Sequence, residues 1–291
     1  MKISIVGSGV VGKTMGFGFE KLGHEVLFCD ANENVVKELI KGGHKATSDL
    51  KAVKDGDITF ICVPTPLGPT PTGFDTTYLI SAAKEISSAL KERNGYHLLV
   101  VKSTVLPTTT EKVVIPLISK HKKIGEEVGI CMNPEFLTEI ANTWSSDGNY
   151  KRDFFTEDRI VIGEYDKKSG DALEELYRPL GKPIFRFDLK TAEMIKYASN
   201  CMLATKISYW NEIFLICNEV GIDSKKVADV VGMDPRIGKY GTVHGKAYGG
   251  KCLPKDLKAL LSFASKYHKP KLLKAVDDIN EKMRRKYGVR E

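Results

Sequence analysis

Cys252 lies in Tyr248-Gly249-Gly250-Lys251-Cys252-Leu253-Pro254-Lys255-Asp256, two glycines behind it and a helix-like run ahead of it. Pro254 suits the first turn of that helix. A thiol at a helix N-terminus, flanked by Lys251 and Lys255, sits in a positive potential that favours the thiolate, the form that attacks carbon. Taken alone, a cysteine in a glycine turn is more often an inert buried thiol. The other chemistry-bearing residues decide between the two readings.

At the opposite end, Gly7-Ser8-Gly9-Val10-Val11-Gly12 follows the β-branched run Lys2–Val6 and opens a helical stretch reaching Leu22. This is G-x-G-x-x-G in a strand-turn-helix setting, where glycines admit a pyrophosphate that the helix N-terminus then holds. The next strand, Glu25 to Asp30, ends in an acid eighteen residues after Gly12. Asp30 can accept from both ribose hydroxyls and repels a 2′-phosphate, so the expected cofactor is NAD rather than NADP. A third candidate is the pair Lys196 and Asn200, four apart and on one helix face, although without further information a solvated Lys and a helix-surface Asn are the preferred reading.

Strand and helix patterns alternate between these sites. Helices are expected from Asn32 to Lys41, Thr76 to Leu90, beyond Pro107 to Ser119, and Lys167 to Tyr177. Strands are expected at Ile58–Val63, Leu98–Lys102, Val128–Met132, Arg159–Ile162 and Pro183–Phe187, with a polar, aromatic loop over 144–158. Such repetition predicts a parallel sheet with ligands bound beyond the C-terminal strand ends. The loops Val63-Pro64-Thr65-Pro66, Ser103-Thr104-Val105 and Asn133 to Glu139 fall at such ends, although Pro/Thr turn chemistry explains any one of them as well. From Leu189 to Val220 no Pro or Gly interrupts a helical period, giving a helix of about 48 Å at 1.5 Å per residue. A helix this long suits a domain junction or a subunit interface, and a homodimer built on residues 189–220 is expected. Short helices at Ser224–Val231, after Pro254, and at Lys271–Tyr287 complete the chain around a glycine-rich loop ending at Gly250. A loop of that length is more often functional than idle.

The 291 residues are enough for two domains, placed at 1–188 and 189–291. A net charge of +7 is spread as lysines among acids, which fits solvated helix faces better than a nucleic-acid site. No stretch is long and apolar enough to span a bilayer and the first residues read as a strand, so no membrane partner is expected and the compartment is read as cytoplasmic. Six scattered cysteines and six scattered histidines lack disulfide or metal spacing, so no metal is expected. The predicted fold class is α/β: a Rossmann-type doubly wound parallel sheet followed by a mainly helical domain with one long central helix.

Together these segments resemble the nucleotide-sugar dehydrogenase family of UDP-glucose and GDP-mannose 6-dehydrogenases. The likeness runs through Gly7–Gly12, Val63–Pro66, Lys102-Ser-Thr-Val105, Asn133-Pro-Glu-Phe-Leu137, Ala192–Asn200, Asp234-Pro-Arg-Ile-Gly238 and Gly249–Asp256. It implies a four-electron, NAD-dependent oxidation of a sugar C6 alcohol to the carboxylate, with UDP-glucose as the expected substrate. By the same likeness Cys252 would be the nucleophile, and Lys196 with Asn200 would stabilise an oxyanion. Thr104, Glu135, Glu139 and Asp256 would position water and move protons. Gly7, Gly9, Val10, Val11, Gly12, Asp30, Val63, Pro64, Thr65, Ser103, Thr104 and Glu139 would hold NAD. Glu135, Phe136, Leu137, Lys196, Asn200, Tyr248 and Gly249 would meet the substrate, with Arg236 reaching in from a neighbouring subunit. Members usually continue into a second α/β domain that clamps the nucleotide, which this chain lacks. The loop 239–248 also departs from the family's substrate-contacting pattern. Two other readings are a two-electron β-hydroxyacid-type dehydrogenase, which needs no Cys252, and a truncated, non-catalytic NAD-binding dimer.

Overall fold

The computed structural model describes residues 1–68, 74–138, 144–146 and 152–290. The chain divides into two compact units, the second beginning within one helix after Lys196 and also taking in the segments 67–74 and 138–151.

The first unit contains β1 (Lys2–Val6), α1 (Val10–Lys21), β2 (Glu25–Cys29), α2 (Glu33–Lys41), β3 (Lys45–Thr47), β4 (Ile58–Ile61), α3 (Thr77–Leu90), β5 (His97–Val101), α4 (Ile115–Ile118), β6 (Val128–Met132), β7 (Ile160–Glu164), α5 (Lys167–Tyr177) and β8 (Ile184–Asp188). The strands form one sheet in the order β3-β2-β1-β4-β5-β6-β7-β8. The expected parallel pairing holds from β3 to β6, but β7 runs antiparallel to β6 and carries β8 with it. Strands β1, β4, β5 and β6 are apolar along most of their length because helices cover both faces. Ile3, Ile5, Phe28, Phe60, Leu98 and Val100 form the centre of that core with Met15 and Phe19 of α1.

Strand β3 and a 3₁₀ turn at Leu50–Asp55 were not legible in the sequence. The helix expected after Pro107 is instead a π turn, Thr110–Val114, leading into the single turn of α4. Pro116 has no N–H to offer the preceding turn, which accounts for the disruption. Ahead of it Thr108 has φ +75°, a left-handed conformation unusual for a β-branched residue. A buried carboxylate holds it there: Thr108 N–H donates to Glu193 Oε2 at 2.6 Å and Thr110 N–H to Glu193 Oε1 at 2.8 Å.

Glu193 belongs to α6, Leu189–Val220, a 32-residue helix that matches the uninterrupted period. The second unit continues with α7 (Ser224–Val231), β9 (Ala247–Tyr248), α8 (Leu253–Ala264), α9 (Lys271–Tyr287) and β10 (Val289–Arg290), with β9 and β10 paired in parallel. Trp210, Tyr248, Leu257 and Met283 are buried in it. Among the described residues no helix is long and apolar enough to cross a membrane.

Two buried titratable groups in the first unit oppose one another in pH dependence. His97 donates from Nδ1 to Gly56 O and accepts at Nε2 from the Thr59 hydroxyl, both at 3.0 Å, so it is neutral, and burial pushes its pKa down to about 4 from 6.5. Its contribution is present above pH 6.5 and is lost as pH falls towards 4, an effect of about 3 kcal/mol. Burial pushes Glu193 up to about 7 from 4.5, so its contribution is present below pH 4.5 and is lost as pH rises through 7. Urea unfolding should therefore show nearly flat stability between pH 4.5 and 6.5. His97→Gln should make stability rise on acidification over this range, and Glu193→Gln should make it fall.

Candidate active site

The nucleotide turn follows from close approach at the point where strand order reverses, between β1 and β4. Gly7 has φ +93°, and a Cβ there would lie 2.8 Å from the backbone of Cys62 at the end of β4. A Cβ on Gly12 would fall on the Gly7 carbonyl oxygen, so α1 can start this close to β1 only with glycine at that position. Gly9, the N-cap of α1, has open space where a Cβ would be and makes no side-chain cap. No side chain at Gly9 therefore obstructs the N-terminus of α1, the approach that a pyrophosphate needs. Asp30, just past β2, accepts from Ser8 N–H at 2.7 Å and from Asn32 N–H at 2.9 Å, fixing its carboxylate beside the glycine turn. These features fit a dinucleotide.

The next two loops are tied together at the ends of β4 and β5. Ser103 Oγ donates to Val63 O at 2.6 Å, and Thr65 Oγ1 donates to Thr104 O at 2.8 Å. Pro64 is exposed between them. The structure thus brings Val63, Pro64, Thr65, Ser103 and Thr104 into one rim.

Beyond β6, Glu135 receives Lys196: Nζ donates to Glu135 O at 2.6 Å and to Oε1 at 3.0 Å. Both residues are buried, and Phe136 lies under the ammonium with its ring centroid 5.3 Å away. Leu137 N–H donates to Glu135 Oε2 at 2.8 Å, fixing the carboxylate from the other side. An ammonium has three N–H donors, and these two bonds use two of them. Glu139 lies outside the described residues.

In the second unit, Asn200 lies one turn along α6 from Lys196. Its Nδ2 donates to Asp256 Oδ2 at 2.6 Å, and Lys255 Nζ donates to Asp256 Oδ1 at 2.5 Å. Asp256 is 1% exposed, and its N–H donates to Cys252 O at 2.8 Å. Cys252 is the N-cap of α8 and is exposed, whereas Cys29, Cys131, Cys201 and Cys217 are buried. Burial pushes the Cys201 thiol up to about 12, beside the Asp256 charge. The sulfur of Cys252 therefore stands apart from the buried thiols in access.

Two asparagines that the sequence did not single out hold the loop leading to Cys252. Asn211 accepts from Gly245 N–H and donates to Lys246 O, both at 2.8 Å. Asn280 accepts from Tyr248 N–H at 2.9 Å and donates to Tyr248 O at 3.2 Å. Their signal was an amide at a buried helical position, which needs two partners. Tyr248 itself is 1% exposed, so its ring is core, and Gly249 leaves no space for a Cβ against Val289. Arg236 is exposed and bonded to Asp234, with Nη2 to Oδ2 at 2.6 Å. Among the described residues no group of three His, Cys, Asp or Glu is arranged for a metal.

Comparison with known proteins matches residues 34–181 to the UDP-glucose/GDP-mannose dehydrogenase family, NAD binding domain, and residues 190–282 to the central domain of the same family. The UDP-glucose 6-dehydrogenase AglM of Haloferax volcanii is 36% identical over 97% of this chain and 70% of its own length. The GDP-mannose 6-dehydrogenase of Pseudomonas aeruginosa is 38% identical over 91% of this chain and 64% of its own. The solved UDP-glucose dehydrogenase of Pyrobaculum islandicum superposes with a TM-score of 0.88 at 34% identity, covering 98% of this chain and 68% of that one. The chain thus spans roughly two thirds of the length of the relatives it matches.

The carboxylate of Asp30 provides the test of the nucleotide turn. Asp30→Ala should weaken NAD binding by about tenfold or more, the value of a charge-assisted hydrogen bond, and narrow the preference for NAD over NADP. Calorimetric titration with each dinucleotide measures both.

Proposed function

Because this chain belongs to the UDP-glucose/GDP-mannose dehydrogenase family, we propose that it oxidises the C6 alcohol of a nucleotide sugar to the carboxylate, with UDP-glucose as substrate and UDP-glucuronate as product. Residues 1–188 serve as the NAD-binding domain and 189–291 as the central domain. The observation that carries the reading is Cys252: an exposed thiol at a helix N-terminus, on a loop held by Asn211 and Asn280, four residues before a buried Asp256 bonded to Asn200.

NAD, which Gly7–Gly12 and Asp30 would hold, would supply the hydride acceptor for two oxidations at the sugar carbon. In the first, the alcohol loses its O–H proton to a carboxylate-bound water, and the aldehyde forms. Cys252 sulfur then adds to the carbonyl carbon, and the thiol proton passes to the oxygen, giving a thiohemiacetal that again carries a transferable hydride. Loss of that hydride, with the hydroxyl proton passing to water, leaves a thioester. Water attacks it, the C–S bond breaks, and the thiol is regenerated with the carboxylate product. Lys196 and Asn200 stabilise the oxygen as it gains charge. Glu135, Thr104, Glu139 and Asp256 hold water and move protons.

The same reading includes a homodimer. Met202, Tyr209 and Ile216 are seven residues apart on α6 and more than half exposed, with Val220 one turn further. Side chains at this spacing share one helix face, and such a stripe is the pattern of a covered seam. Exposed Arg236 suits an arginine that serves a neighbouring copy.

Two measurements test these proposals. The unmodified protein should release two NADH per UDP-glucose, whereas Cys252→Ser should yield no carboxylate; one NADH per sugar in the unmodified protein defeats the four-electron scheme. Tyr209→Glu should convert a dimer to a monomer in light-scattering chromatography, and a monomeric wild type would remove the dimer.

A further inference from the structure

The four residues after β6 are gripped by buried groups from several elements. Asn133 Oδ1 accepts from Lys102 Nζ at 2.9 Å and from the Tyr177 hydroxyl at 2.7 Å, while its Nδ2 donates to Val161 O at 2.7 Å. Pro134 O accepts from Lys102 at 3.4 Å. Glu135 accepts twice from Lys196. Phe136 N–H donates to Glu157 Oε1 at 3.3 Å. Lys102, 3% exposed, and Glu157, 9% exposed, take part in no step described above.

Burying an ammonium and a carboxylate is costly unless each is compensated. The groups facing Lys102 are Glu157, Glu135, Cys62 and Lys196. Those facing Glu157 are Lys102, Glu135, Lys196 and, on α5, Tyr177. Arg159, 4.1 Å from the Phe136 ring centroid, is a further cation against this turn, but it is not among the main charges that act on Lys102 or Glu157. Two lysines and two glutamates therefore share one buried cluster whose formal charges sum to zero.

We propose that Lys102 and Glu157 are positioning residues for the Glu135–Lys196 pair, bracing the Asn133–Phe136 turn and keeping the four-charge cluster neutral. Removing either charge leaves an excess that the remaining members feel. Burial lowers the Lys102 pKa and raises that of Glu157, so desolvation opposes each charge while the opposite charges of the cluster favour it. The turnover arm of the test rests on the nucleotide-sugar reading; the stability arm does not.

The experiment is a double-mutant cycle with Lys102→Met, Glu157→Gln and the combined variant, each made in the full chain. Each single variant should unfold at a lower temperature, and the double should recover above Lys102→Met because its cluster is neutral again. In NADH formation from UDP-glucose, the pH profile of kcat/KM should move up by about one pH unit in Lys102→Met, down by a similar amount in Glu157→Gln, and back in the double. A brace acting only through hydrogen bonds would not show this reversal. Additive destabilisation in the double overturns the proposal, as do profiles that stay in place while kcat falls. A wild type that converts no nucleotide sugar defeats the function proposed above. In that case the unfolding cycle alone decides the cluster: recovery upholds it and additivity overturns it.

Discussion

The arrangement of the first unit depends on a buried ammonium on a helix meeting a carbonyl and a carboxylate just past a strand. Lys196 reaches Glu135 through two hydrogen bonds with almost no solvent present. Removing one partner of such a pair typically costs about 3–5 kcal/mol because the other charge is left stranded. The pair therefore fixes the register of α6 against the turn after β6 more firmly than apolar packing alone. Three residues earlier on the same helix, Glu193 performs a comparable task for the strained turn at Thr108. One helix thus uses two buried titratable side chains to hold two of the loops that follow strands.

The nucleotide-binding half was readable because its constraints are local. Gly7, Gly12 and Asp30 lie within one strand-turn-helix-strand unit, and each is demanded by backbone proximity or by the acid's place at a strand end. The long helix was readable because nothing in 32 residues breaks its period. The reversal of β7 was not, since strand direction depends on the path of the connection rather than on composition. Lys102 and Glu157 were equally opaque: a charged residue beside an apolar strand looks like an edge until its distant partners are known. Nothing in the sequence sets His97 apart from the other scattered histidines, yet it is buried with both ring nitrogens bonded. A lone imidazole reveals its burial only through partners from other strands.

Cys252 illustrates the difference between recognising a residue and placing it. The flanking glycines, Pro254 and Asp256 marked a helix start, and the structure has the N-cap there. The motif did not show that Asp256 is shared by Asn200 and Lys255, or that the preceding loop is held by side-chain amides. Apart from Lys255, the neighbour of Asp256, those contacts join residues 32 to 56 positions apart, a distance at which sequence periodicity is silent.

The Asn280 clamp on Tyr248 has a wider consequence. Both hydrogen bonds of that asparagine, and the β9–β10 pairing alongside them, tie the approach to the thiol to α9 and the residues just after it. Fraying of α9 would release the backbone at Tyr248 and Gly249 in the same event, so the sulfur's mobility is linked to a helix with no chemistry of its own. Amide exchange at Tyr248 would then report the opening of α9, and a partner that grips this helix could quiet or loosen the thiol from a distance.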